Sequence, residues 1–274
     1  MRPTRAIGMA AFGAAVAAAG TASAEQPRDY FLNPPPPGTY ANLDVYTVGI
    51  QASLEDRRDL EEGMSMAYNR VSGVVGLPYG DASYNLDARV FLFTLGGSVG
   101  YRHVWKNHTF AFGDPDTGRK KRVQRESDLL TDETGFPYGE GRLRLTIPLD
   151  SFFMVNTATV RWEDQRDNTF DWYHGNIHDG GTYWKYDGVL FYRHRDFGAI
   201  GPTVRYMSYE REGLSKSDFT YGFTFGSRPG WKRGSDLFLF QMLFNFGDDD
   251  YGLHGYRIDA PFTVLAVYRA VVPL

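Results

Sequence analysis

Cysteine is absent from all 274 residues. That removes disulfide frameworks, thiolate metal centres and cysteine nucleophiles, and it suits an exported bacterial protein stabilised by one large hydrogen-bonded sheet. Beyond the N-terminus no stretch approaches the roughly 18 uninterrupted apolar residues that a membrane helix requires. If this chain crosses a membrane it does so as a closed barrel, because lipid leaves an open backbone edge without partners. A strong charge of either sign is also missing, with 29 Lys and Arg against 33 Asp and Glu, so no nucleic-acid partner is implied. The mean hydropathy of −0.39 excludes a helical membrane bundle but not a barrel, in which roughly half the strand residues face inward. Glycine-rich phosphate loops, nucleotide fingerprints and metal fingers are lacking too. No cofactor is expected.

The N-terminus reads as a targeting segment. Arg2 and Arg5 precede an apolar run from Ala6 to Ala19, and Ala22-Ser23-Ala24 supplies a small-residue cleavage pattern. This predicts a secretory signal over 1–24, cleaved after Ala24. Residues 25–42 follow as a proline-rich periplasmic lead-in around Asn33-Pro34-Pro35-Pro36-Pro37-Gly38, with room for one strand, and the large β-domain is assigned to 43–274.

Aromatics are abundant: 18 Tyr, 20 Phe and 5 Trp. They recur at alternate positions. Phe219, Tyr221, Phe223 and Phe225 form one row; Phe238, Phe240, Met242, Phe244 and Phe246 a second; Ile258, Ala260, Phe262, Val264, Ala266 and Tyr268 a third. Alternate strand residues point to opposite faces, so each stretch carries one apolar face and one polar or small-residue face. Earlier stretches repeat the pattern. They include Tyr46 to Leu54, a strand with Met64, Met66 and Tyr68, then Leu86 to Leu92, Arg142 to Ile147, Met154 to Trp162, Trp184 to Tyr192 and Ile200 to Tyr206. Turns are expected at Glu55–Asp59, Gly96-Gly97, Asp150-Ser151 and Asp196-Phe197. Loops are expected at 73–82, 107–136, 164–181, 211–217, 228–235 and 247–255.

About eleven strands can be counted, and bacterial single-chain barrels have an even number. The expectation is therefore an all-β, transmembrane, antiparallel up-and-down barrel of twelve strands, with ten as the alternative. The missing strand is placed before Leu43. Over Leu43 to Leu274 the chain resembles the bacterial outer-membrane β-barrel proteins, through its alternation and its long-outside, short-inside connections. Tyr268, Ala270, Val272 and Leu274 keep the closing alternation of that class, with Leu at the position where an aromatic is usual. The resemblance implies an outer-membrane location, lipid contacts and handling by the barrel assembly machinery.

With the apolar faces outward, the inward faces hold Arg89, Arg102, Arg142, Arg144, Arg161, Lys185, Arg193, Arg205 and Arg269, against Asp87, Glu163, Asp187 and Asp259. Such charges must pair extensively in a narrow lumen, and the basic surplus favours anions. Arg119 to Arg125 suits acidic headgroups or, more plainly, a solvated loop tip. Asp248-Asp249-Asp250 lacks the spaced ligands of a cation loop. His174 and His178 have helical metal spacing but lie in a loop without a helix. With Asp171 and Asp179 they are the only set offered to an acid hydrolase, and no Ser–His pair shares an inward face, so no enzyme and no metal site is expected. Two function classes remain. One is a porin-like narrow channel for small anionic solutes. The other is a non-conducting structural barrel of an envelope machine for polysaccharide export, motility or adhesion, joined to other envelope proteins.

Overall fold

The structure is a computed structural model that describes residues 36–47, 49–61, 65–77, 79–105, 110–112, 123–125, 134–165, 167, 169–171, 176–194, 198–211, 213–227, 236–244 and 262–274. The signal segment, His174, Asp248-Asp249-Asp250, Ile258, Asp259 and Ala260 lie outside them.

Alternation makes strands throughout. They are β1 (Gly38–Tyr46), β2 (Gly49–Glu61), β3 (Ser65–Gly76), β4 (Tyr79–Val90), β5 (Phe93–Val104), β6 (Phe110–Phe112), β7 (Val123–Arg125) and β8 (Thr134–Leu149). The chain continues with β9 (Phe152–Glu163), β10 (Thr169–Asp171), β11 (Asn176–His178), β12 (Gly181–His194), β13 (Gly198–Arg211), β14 (Leu214–Ser227), β15 (Leu237–Phe244) and β16 (Phe262–Pro273). Twelve of these close an antiparallel barrel in the order β1-β16-β15-β14-β13-β12-β9-β8-β5-β4-β3-β2. The remaining four form two small hairpins, β6–β7 and β10–β11. Each barrel strand pairs with its chain neighbour, and β1 closes the ring on β16 through Tyr40↔Pro273 to Tyr46↔Val267.

All three long connections, β5 to β8, β9 to β12 and β15 to β16, leave from the end of the barrel opposite the two termini. Both termini share an end because the strand number is even. The twelfth strand is β1, which begins at Gly38 inside the stretch read as lead-in.

Four of the expected turns and loops are instead strand. Gly96 and Gly97 sit in the middle of β5, and the hairpin turn is Phe91-Leu92. Phe91 adopts φ 54 there without being glycine, so a glycine-based turn signal pointed five residues too far. Glu55–Asp59 is the centre of β2, where the charges alternate between faces rather than clustering on a turn. Residues 73–82 close β3 and open β4 around a tight turn, with Gly73 paired to Ala82. Residues 211–217 contain a turn at Gly213 only, and β14 already starts at Leu214. The Tyr46 to Leu54 row is two strands: the chain reverses between Tyr46 and Gly49, so Tyr46 faces inward, with its hydroxyl 2.9 Å from the Gln51 amide oxygen and 3.1 Å from the Asp44 carboxylate. Tyr68 and Met66 also face inward, opposite Arg57 and Asp59. The Asp150-Ser151 turn stands where expected.

Small apolar clusters close the inner wall near the strand ends. Phe153 stacks on Phe191 at 4.8 Å beside Ala199, near the short turns. Tyr79, Val104 and Phe136 pack together near the long loops, as do Tyr183, Met207 and Tyr209. Between these clusters the interior is polar except along β15 and β16, whose inward positions include Leu239, Leu243, Leu265 and Val267.

Candidate functional site

Inward and outward residues follow from register and burial. Arg89, Arg102, Arg142, Arg144, Arg161, Lys185, Arg193, Arg205 and Arg269 all stand on inward positions, as do Asp87, Glu163 and Asp187. The same faces add Arg57, Arg70 and Lys216, and they add more acids than bases: Asp44, Glu55, Asp59, Asp81, Glu140 and Asp218. Along the described inner wall, twelve bases stand against nine acids. The basic surplus is thus smaller than the sequence count suggested. Of the acids that count omitted, Glu55, Asp59 and Asp81 lie in segments read as turn or loop, Glu140 sits between the small outward residues Gly139 and Gly141, and Asp44 and Asp218 stand just before the rows that begin at Tyr46 and Phe219.

The densest cluster is built by β4, β5, β8 and β9. Arg161 reaches Glu163 at 2.5 Å and Glu140 at 3.2 Å, and its guanidinium lies 3.8 Å from the centroid of the Tyr138 ring. Tyr138 donates to Asp81 at 2.8 Å, and Arg102 holds Asp81 at 3.1 Å. Glycine makes room for this. A Cβ on Gly100 would lie 2.5 Å from the Tyr138 ring, so the β5 glycine is what lets the tyrosine lie across the wall. Glu163 is fully buried, and removing a partner from such a carboxylate is costly.

Further round the wall, Arg142 links Asp87 at 3.2 Å, Glu140 at 3.3 Å and the Asn85 amide oxygen. Arg205 binds Asp187 at 2.6 Å and Gln241 at 3.3 Å, while Lys185 lies 3.6 Å from Asp187. Gln241 donates to Thr224, whose hydroxyl lies 2.6 Å from that of Thr203. Arg269 forks onto both oxygens of Asp44 across the β1–β16 seam, at 2.6 and 2.7 Å. Arg57 pairs with Glu55 beneath the Tyr40 ring and is buried. The burial is uneven. Arg57 and Arg161 are closed off, whereas the side chains of Arg142, Lys185, Arg205 and Arg269 keep accessibilities of 23, 14, 18 and 17 %.

The outward face is the reverse. Leu95, Val75, Trp184, Phe219, Val99 and Tyr221 are exposed, Val75 at 69 % and Leu95 at 66 %. No second layer covers them among the described residues. The ring leaves no backbone edge, and greasy side chains surround it strand after strand, which only hydrocarbon solvates well. It is a transmembrane β-barrel.

No family profile matches the chain and no curated protein is similar to it. Solved structures that resemble it are membrane barrels. A NanC porin structure is 8% identical, with a TM-score of 0.40 over 86% of this chain and 99% of that one. LpxR from Salmonella typhimurium is 7% identical at 0.40, over 86% and 100%. The translocator domain of the autotransporter NalP from Neisseria meningitidis is 9% identical at 0.37, over 88% and 89%. At those values none of their functions carries across to this barrel.

The histidines fall into different settings. His103 faces outward, 6.2 Å from Trp105. His178 is buried between Gln165, Tyr183 and Tyr209. Asp179 accepts from the Gly213 backbone N–H at 3.0 Å. Asp171 contributes backbone to β10. Among the described residues no three His, Cys, Asp or Glu side chains converge on a metal position.

Proposed function

We propose that this barrel sits in the bacterial outer membrane as a narrow, porin-like channel for small anionic solutes. The observation that supports it best is the half-open middle of the inner wall, where Arg142, Lys185, Arg205 and Arg269 keep contact with solvent while the flanking layers are packed. Guanidinium and ammonium groups on opposite arcs of a narrow lumen lower the barrier for an anion and raise it for a cation. Their partners Asp87, Asp187 and Asp44 keep each base placed without neutralising the whole wall. Assembly places the outward rows in lipid after delivery by the barrel assembly machinery.

Single-channel recording of the refolded full chain in planar bilayers is the test. Small resolved steps with an anion-shifted reversal potential are expected, and Arg142→Glu with Arg144→Glu should abolish or invert that shift. Silence over a wide voltage range would reject the channel. The second reading, a non-conducting barrel serving a larger envelope assembly, draws on the buried Arg57–Glu55 and Arg161–Glu163 pairs, which stiffen the wall and offer nothing to a solute.

A further inference from the structure

The described parts of the connection from β9 to β12 are held at the barrel. Thr169 pairs with His178 to make the β10–β11 hairpin. The segment that follows is tied to the barrel rim. The Asp179 backbone N–H donates to the Glu210 carbonyl at 2.8 Å, its carboxylate takes the Gly213 N–H, and the Gly180 N–H donates to Asp167. A Cβ on Gly180 would lie 2.2 Å from the Gln165 carbonyl oxygen, so the two ends of the connection are pressed together.

His178 is the side chain that these anchors drive inward. Its ring centroid lies 5.2 Å from that of Tyr183 and 6.2 Å from that of Tyr209, both inward residues of β12 and β13. It is 1% exposed. Nδ1 lies 2.8 Å from both the Gln165 amide nitrogen and the Asp179 carbonyl oxygen, and Gln165 also donates to the His178 carbonyl. Beneath the ring, Tyr183, Met207 and Tyr209 form a buried cluster on the inner wall. A histidine held on three sides and pressed against the inner wall at the long-loop end is a wedge, not a loop tip.

We infer that β11 and the anchored segment that follows it, residues 176–180, form a fixed ledge on the β12–β13 side of the mouth, and that His178 sets the aperture by wedging this ledge against Tyr183 and Tyr209. The size limit of the channel is then decided at the mouth, and its charge preference deeper, at Arg142 and Arg205. The size limit rests on the channel reading, whereas the ledge itself does not, and two measurements separate them.

The first measurement is chemical. Because the native chain has no cysteine, Met207→Cys places a single thiol beneath the wedge. In refolded proteoliposomes a membrane-impermeant maleimide should label it slowly, and His178→Ala in the same chain should raise the rate by at least about tenfold, as a buried position becomes exposed. His178→Gln, which keeps a polar side chain of similar length, should stay near the slow rate. Equal labelling in the Met207→Cys chains with and without His178→Ala overturns the ledge, whether or not the barrel conducts. The second measurement is conductance. If the native chain conducts, His178→Ala should raise the step roughly twofold and admit larger neutral saccharides in liposome swelling. An unchanged step and cut-off, with labelling accelerated, would leave the ledge and remove its role in the size limit. Silence from both chains removes the channel alone.

Discussion

At the scale of single residues, the inner wall sets its most buried charges against opposite ones: Arg57 on Glu55, Arg161 on Glu163 and Arg269 on Asp44. Arg161 shows the logic. Its guanidinium serves Glu163, Glu140 and the face of Tyr138 at once, so no smaller or neutral side chain replaces it. Arg161→Ala should lower stability by about 3 kcal/mol, because the buried Glu163 would be left to the more distant Arg102 at 3.7 Å. Adding Glu163→Gln should recover a large part of that loss. The checks are urea unfolding in vesicles and a double-mutant cycle; an additive double mutant would mean that the two groups are not coupled as their 2.5 Å separation requires. Tyr138 offers a second check. Gly100→Val places a branched side chain where the ring lies, and the Tyr138–Asp81 hydrogen bond should break. A loss of about 2 kcal/mol is expected from overpacking, whereas Gly139→Ala, with open space around its Cβ, should cost little.

At the scale of elements, legibility depended on what each strand turns outward. On β14, β15 and β16 the outward residues are Phe, Tyr, Met and Val, and their rows are plain in the sequence. Phe223 and Phe240 lie at 5.9 Å, and Phe225 and Phe238 at 6.4 Å, on paired strands of that belt. On β2 to β5 the outward residues include Ala52, Ala67, Gly73, Gly80, Ala82, Ala88 and Gly97, too small to announce a lipid face. The β2 charges concealed the strand further. Glu55 and Arg57 pair inward while Asp56 and Arg58 pair outward, so a strand with both faces charged resembled a turn. Glu55 and Asp81 were overlooked because they lie in stretches that read as a turn and a loop, and Asp44 because it precedes the row that begins at Tyr46. The burial of His178 had no sequence signal, because it depends on anchors at Glu210 and Gly213 from another hairpin. The belt itself can be tested. Phe223→Arg should destabilise the barrel by about 3 kcal/mol if that position meets hydrocarbon near mid-depth. An equally stable Phe223→Arg protein, measured by denaturant unfolding into lipid vesicles, would place β14 against another protein surface instead.

For the whole molecule, closure is the property on which everything else depends. The seam joins the first and last strands, which are 225 residues apart at Asp44 and Arg269, so it forms only after the intervening ring is laid down. Long-range pairing of this kind is slow and entropically expensive, and its reward arrives late. The side chain that bridges it is a forked Arg269 on a fully buried Asp44, with Val271 buried alongside. Asp44→Ala leaves that guanidinium facing a wall without its carboxylate, at about 2 kcal/mol. The backbone ladder from Tyr40 to Tyr46 should nevertheless hold, because an opened seam would present unpaired N–H and C=O groups to lipid at several kcal/mol each. Asp44→Ala should therefore fold more slowly into vesicles and melt earlier, yet still migrate as a compact, heat-modifiable species before boiling. Exchanging the pair, Asp44→Arg with Arg269→Asp, should restore most of the folding rate, since the bridge spans directly opposed positions in the register. If the exchanged protein folded no better than Asp44→Ala alone, the pair would be a passenger on a seam closed by its backbone, and the charge network of the inner wall would have to be assigned to solute passage rather than to assembly.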